Sequence, residues 1–114
     1  MAIQTATMRT HLADRYGDEA LYGALYTTAP SSSAGTEVTG GSPAYARKAL
    51  SWSTASASAS SVTVTFDVPA STTVVGAGCH TASTAGTYLD GVAVTSQAFA
   101  TQGTYAVTYT ITIS

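Results

Sequence analysis

The stretch VTVTFDV, Val62 to Val68, with Pro69 directly after it, decides the fold. Val62, Val64, Phe66 and Val68 fall on one face and Thr63, Thr65 and Asp67 on the other, the two-residue period of a half-buried strand. Pro69 has no amide to give a hydrogen-bond ladder and ends the strand. The C-terminal run TYAVTYTITIS repeats the pattern: Tyr105, Val107, Tyr109, Ile111 and Ile113 alternate with Ala106, Thr108, Thr110 and Thr112. It is expected to form one long strand with one buried face.

Outward from these two runs the period of two continues. ALYGALY, Ala20 to Tyr26, reads as a short strand with two rather apolar faces. Tyr45 to Trp52 reads as another, with Tyr45, Arg47, Ala49 and Ser51 opposite Ala46, Lys48, Leu50 and Trp52. STASASASS, Ser53 to Ser61, is either a turn or a polar edge strand. In TTVVGAGCH, Thr72 to His80, Gly76 and Gly78 allow a bulge or a close backbone approach. TYLDGVAV holds a short strand ending at a hairpin turn on Asp90-Gly91, and SQAFA is a weak edge candidate. Between the first two strands, TTAPSSSAGTEVTGGSP carries Pro30, Gly35, Gly40, Gly41 and Pro43, which interrupt regular structure.

Only the N-terminus breaks this period. Met8, Leu12 and Tyr16 recur every four residues, which predicts an amphipathic helix over 3–16, closed by Gly17 as its C-terminal cap. The short 17–20 connection favours docking of that helix, through Met8, Leu12 and Tyr16, on its own sheets rather than on a neighbouring subunit. One helix followed by six to eight short strands implies a mainly β chain: an antiparallel β-sandwich, Ig-like or jelly-roll-like, with one short N-terminal α-helix. The 114 residues fit a single domain, 1–114, with the helix at 3–16 and the sandwich at 20–114.

Composition narrows the function. The net charge is −2, and there is no lysine or arginine after Lys48, so the basic surface that neutralises phosphates is missing and nucleic acid is not an expected partner. No apolar run reaches the length of a membrane span, so no membrane partner is expected either. The N-terminus lacks the apolar stretch of a signal peptide, and synthesis in the cytoplasm is the expectation. Serine and threonine make up nearly a third of the chain and supply most of its polar surface. Such a low charge suggests that much of the surface is covered in use, unless Thr-rich outer faces solvate the sheets unaided.

Catalytic residue types are scarce. Cys79 and His80 are neighbours on a strand, so their side chains are expected on opposite faces, and the bland reading is a small buried Cys beside an exposed or hydrogen-bonded His. With one cysteine, two histidines and six scattered carboxylates, no ligand spacing for a metal is present, and neither a cofactor nor enzymatic activity is expected. Gly40-Gly41 lacks the Lys-Ser/Thr of a phosphate loop. Seven tyrosines and Trp52 could stack on sugar rings, but Tyr105 and Tyr109 share a face with Val107 and Ile111, as core or interface residues do.

The run LYTTAPSSSAGTEVTGGSPAYARKALSW, Leu25 to Trp52, resembles a motif of small virion proteins of tailed bacteriophages, particularly those of actinobacteria. Leu25, Thr27, Pro30, Gly35, Glu37, Val38, Gly40, Gly41, Ser42, Pro43, Tyr45, Ala46, Arg47 and Trp52 carry the likeness, and TFDVPASTTVVGAG extends it. The resemblance implies a virion structural protein. Its leading form is a capsid decoration or cement protein that braces the major capsid protein as a homo-oligomer, a trimer. The alternatives are a minor tail or tail-fibre module with tail proteins as partners, and a carbohydrate-binding module on the virion surface. Pro30, Gly35, Glu37, Gly40, Gly41, Ser42 and Pro43 form the candidate contact loop. Tyr45, Arg47, Trp52, Met8, Leu12 and Tyr16 are candidate structural or interface residues, and Glu37 is expected to pair with Arg47 across the loop base as an exposed, weak ion pair.

Overall fold

A computed structural model describes residues 4–55, 58–61 and 63–112. The expectations for Ile3, Val62 and Ile113 lie outside the described residues. The elements are α1 (Ala6–Glu19), β1 (Tyr22–Tyr26), β2 (Lys48–Ala49), β3 (Trp52–Ala55), β4 (Ser58–Ser61), β5 (Val64–Val68), β6 (Thr72–His80), β7 (Tyr88–Phe99), β8 (Gly103–Val107) and β9 (Thr110–Thr112). The chain is mainly β, its sheets are antiparallel, and its helix lies near the N-terminus. A four-stranded sheet, β2-β1-β6-β7, is accompanied by a three-stranded sheet, β3-β4-β9, and a two-stranded one, β5-β8.

The deciding stretch behaves as its alternation requires. In β5, Phe66 and Val68 are buried and Thr65 is exposed. Phe66 pairs with Tyr105 and Val64 with Val107 across the β5–β8 ladder. Leu25 of β1 and Val74 and Ala77 of β6 meet Phe66, Val68 and Val38 in one core, against which Tyr45, Phe99, Tyr105 and Tyr109 pack. This brings the four-stranded and two-stranded sheets face to face in a sandwich-like layering. A second cluster of Ala20, Leu50 and Cys79, flanked by Tyr16 and Trp52, joins the other end of the four-stranded sheet to the helix and β3.

Several expectations change. The helix runs Ala6–Glu19, three residues past the expected end; Thr5 caps its start by accepting from the Met8 amide at 3.1 Å. Gly17 is therefore helical, and its missing side chain serves packing: a Cβ there would lie 3.1 Å from Trp52 Cβ. The docked face is Ala13, Tyr16 and Ala20, whereas Met8 and Leu12 are 50% and 40% exposed. The strand expected over 45–52 breaks at Leu50 and Ser51 into β2 and β3, which belong to different sheets.

Asp90-Gly91 forms no hairpin turn. It lies within β7, pairing with Cys79 and Gly78, and β7 runs on through SQAFA to Phe99. A Cβ at Gly91 would come within 2.8 Å of Pro30, so the glycine admits an overlying loop rather than reversing the chain. The C-terminal run is likewise divided: β8 pairs with β5, the chain leaves that ladder at Thr108 and Tyr109, and β9 pairs with β4. Inward alternation survives the change of sheet, with Tyr105, Val107, Tyr109 and Ile111 all half-buried. The described residues of STASASASS form strand, in the antiparallel pairing of β3 with β4.

A candidate contact site at the 27–47 loop

The loop between β1 and β2 is held shut at its base. The Thr27 amide donates to Thr36 O at 2.7 Å, the Val38 amide to Leu25 O at 3.1 Å, and Tyr26 and Glu37 form an isolated bridge. Pro30 is buried, seated over the notch that Gly76 and Gly91 leave in the four-stranded sheet. A Cβ at Gly35 would fall 2.0 Å from Thr28 O, so that glycine serves the close return of the chain. These two residues are structural. The exposed part of the proposed loop is Gly40 to Pro43.

That tip is a tight turn. Gly40 and Gly41 have φ of +89° and +99°, a region that side chains other than hydrogen resist. Tyr45 N donates to Gly40 O at 2.8 Å. Gln102, from the β7–β8 connection, clamps the turn from outside: its Oε1 accepts from the Ser42 amide at 3.3 Å and its Nε2 donates to Pro43 O at 3.2 Å. The turn is therefore fastened to the far end of the sandwich.

Behind the tip, Glu37 and Arg47 pair with two parallel bonds, Nε to Oε2 at 3.0 Å and Nη2 to Oε1 at 2.9 Å. The side chains are 11% (Arg47) and 25% (Glu37) exposed, so the pair is more shielded than a surface pair. Arg47 Nη1 donates to Ala82 O at 2.9 Å and Ala85 O at 2.8 Å, which ties the β6–β7 loop to the same guanidinium. Tyr45 stacks on Phe66, donates its hydroxyl to Glu37 Oε2 at 2.8 Å and accepts the Leu25 amide at 2.9 Å. Burial alone would raise the Glu37 carboxyl, but hydrogen bonds from Arg47 and Tyr45 outweigh it and hold its pKa below the ordinary value. Glu37, Arg47 and Tyr45 are thus one construction that joins two loops to the core.

Cys79 is the small buried residue expected, and His80 takes the hydrogen-bonded rather than the exposed form of its reading. Both are buried, 2% and 5% exposed, in a stretch of β6 that is buried continuously from Gly76 to His80. His80 Nε2 meets the Tyr26 hydroxyl, and its ring lies edge-on to Tyr88. Burial first, then the Arg47 charge, lowers the His80 pKa and keeps the imidazole neutral, with Glu37 opposing. Cys79 Sγ lies 3.4 Å from the Tyr16 hydroxyl, which donates to Asp90 at 3.1 Å, while burial pushes the thiol up. A neutral imidazole and a suppressed thiol with different partners make no nucleophile–base pair. Trp52 packs edge-on to Tyr16 and donates its indole N–H to Ala20 O at 2.8 Å. No group of three or more metal-ligating side chains occurs among the described residues.

Sequence reasoning missed the parts played by Gln102, Ala82 and Ala85, because a side-chain clamp on a distant turn and two carbonyl acceptors leave no periodic or motif signal. A cleft of about 460 Å³ opens between the two loops that Arg47 ties together.

A chain of this make-up is a structural component of a phage virion. Residues 10–113 match the family described as podophage GP4 fiber I protein gp80, and the chain belongs to that family. The match favours the fibre alternative over the capsid-decoration reading. No curated protein and no solved structure matches the chain.

Proposed function

We propose that this chain is a structural module of the phage fibre, a single domain over 1–114 that assembles as a homo-oligomer with tail proteins as its partners. The family match across residues 10–113 carries the reading. An extent of 48 × 24 × 23 Å gives the module a long axis, as a piece of an elongated appendage needs. The exposed turn Gly40 to Pro43, together with the Glu37–Arg47 construction behind it, presents the contact surface. Its fastening at both sides removes much of the ordering cost that a floppy loop meets on binding.

Immunogold labelling of intact virions, with copy number determined from stained gels, tests this. Gold on tail appendages at low copy number is expected. Gold spread over the head at lattice stoichiometry would overturn it.

A further inference from the structure

We infer that the cleft between the 37–47 and 81–87 loops binds a neutral, polyhydroxylated ligand, a saccharide. The inference rests on the 27–47 loop being the module's contact surface, and is independent of where the module sits in the virion. The tyrosines that first suggest sugar binding offer no exposed stacking platform: none of the seven is exposed, and six of them pack into the cores or against one another. The ligand chemistry comes instead from the floor of the cleft.

On that floor Glu37 and Arg47 are almost, but not fully, consumed. Arg47 gives Nε and one Nη2 hydrogen to Glu37 and both Nη1 hydrogens to Ala82 O and Ala85 O. Its remaining Nη2 hydrogen has no protein partner among the described residues. Glu37 Oε2 takes two donors, Arg47 Nε and the Tyr45 hydroxyl, while Oε1 takes only Arg47 Nη2 and keeps an acceptor position. One spare donor and one spare acceptor therefore sit on adjacent atoms 2.9 Å apart, a pairing that two neighbouring ring hydroxyls of a sugar can satisfy together.

The surroundings argue against charged ligands. The guanidinium charge is compensated by a carboxylate in contact, so an anion gains no net positive partner. A single carboxylate cannot hold a metal ion. Thr39 on one wall and Ser83 and Thr84 on the other add hydroxyls to a lining that also carries Val38, Tyr45 and Ala46, the mix of apolar surface and a few polar groups that a sugar's faces and edges match. At about 460 Å³ the cleft falls in the range of small-ligand sites. Because one arginine fixes both walls, the cleft keeps its width without a ligand, so binding does not have to order it.

Saturation-transfer NMR on the full chain, with neutral mono- and disaccharides, the matching uronic acids, and a neutral polysaccharide as separate arms, tests the inference. Transfer to neutral sugars is expected, and a signal confined to the polysaccharide arm would identify a polymer-borne ligand and still support it. Two cleft-filling variants on opposite walls, Thr84→Trp and Thr39→Trp, are expected to weaken binding by roughly tenfold or more while their circular dichroism stays that of the parent chain. If one variant fails to fold, the other carries the test. No transfer to any neutral sugar, equal transfer in a folded cleft-filled variant, or preference for the uronic acids overturns it. Failure here with gold still on the fibre sinks the ligand site alone; binding with gold on the head sinks the fibre reading alone.

Discussion

Arg47 is the residue on which most of the loop architecture converges. It contacts Glu37 twice and the carbonyls of Ala82 and Ala85, and through Glu37 it orients Tyr45 against Phe66. Removing it leaves a shielded carboxylate with the Tyr45 hydroxyl as its remaining donor and takes the guanidinium from two carbonyls, so Arg47→Ala is expected to cost about 2 kcal/mol in a chemical-denaturation series. The 37–47 and 81–87 amides should gain hydrogen exchange while the amides of β1 and β6 do not. Arg47→Lys, a point charge without the fork, should recover only part of that protection. His80 adds a pH dependence. Its folded pKa lies below the ordinary 6.5, so its contribution is complete above that value and is lost as pH falls toward the folded pKa, where the imidazole must charge beside Arg47. Glu37, also depressed, loses its contribution lower still, below its ordinary 4.5. Thermal melts of the parent chain should weaken in both windows, and His80→Gln should lose the upper one alone. A flat profile between neutrality and pH 5 in the parent chain would refute the role given to His80.

Among the elements, the packing of the 27–37 segment on the four-stranded sheet is the contact most exposed to a single change. Pro30 sits where Gly76 and Gly91 have no side chains, and a Cβ at Gly76 would stand 2.3 Å from Pro30 Cδ. Gly76→Ala is expected to cost roughly 1–3 kcal/mol by overpacking and to release Tyr88, whose hydroxyl donates to Ser31 O at 2.8 Å. Gly40→Ala meets nothing within 4 Å and should cost only about 1 kcal/mol, from its positive φ. Equal melting-temperature losses in the two variants would contradict the packing account. These glycines also show where sequence reading stops. Alternation at Val64, Phe66 and Val68, the proline stop, and the interrupted 27–43 segment are local features, and local features are legible. A glycine required by a proline sixty residues away looks the same as one required by a turn, which is how Asp90-Gly91 reads as a hairpin but lies inside β7. The Glu37–Arg47 pairing is legible from the place of the two charges across the loop base; its shielding and its two extra carbonyl partners depend on the 81–87 loop and are not. The sheet change at Thr108 and Tyr109 is silent for the same reason, because inward alternation is preserved while the ladder partner changes.

At the scale of the molecule, two cores share one chain and Tyr109 packs against both, its hydroxyl donating to Ala24 O at 3.2 Å in the space that Gly23 leaves. Tyr16 packs on the second cluster and Tyr45 on the first, and Tyr26 is buried beside them against His80 and Tyr88. Burial, before any neighbouring charge, drives the pKa of all four well above the ordinary 10.0. For a group whose folded pKa is raised, the stabilisation is complete below the unfolded value and is lost as pH rises through and beyond it. The unfolded chain then sheds protons that the folded one retains, and four such groups, three packed on the two cores and Tyr26 buried beside them, make that loss common to the whole molecule. Alkaline titration should therefore show these four phenols ionising together with the loss of near-ultraviolet circular dichroism, in one step, rather than one at a time in a folded chain. Tyr109→Phe removes one of the four protons and should make the decline in stability with pH shallower, measured as urea midpoints across the alkaline range. Separate ionisation of the four while the dichroism persists would mean that the two cores open independently, and the bridging place given to Tyr109 would fall with it.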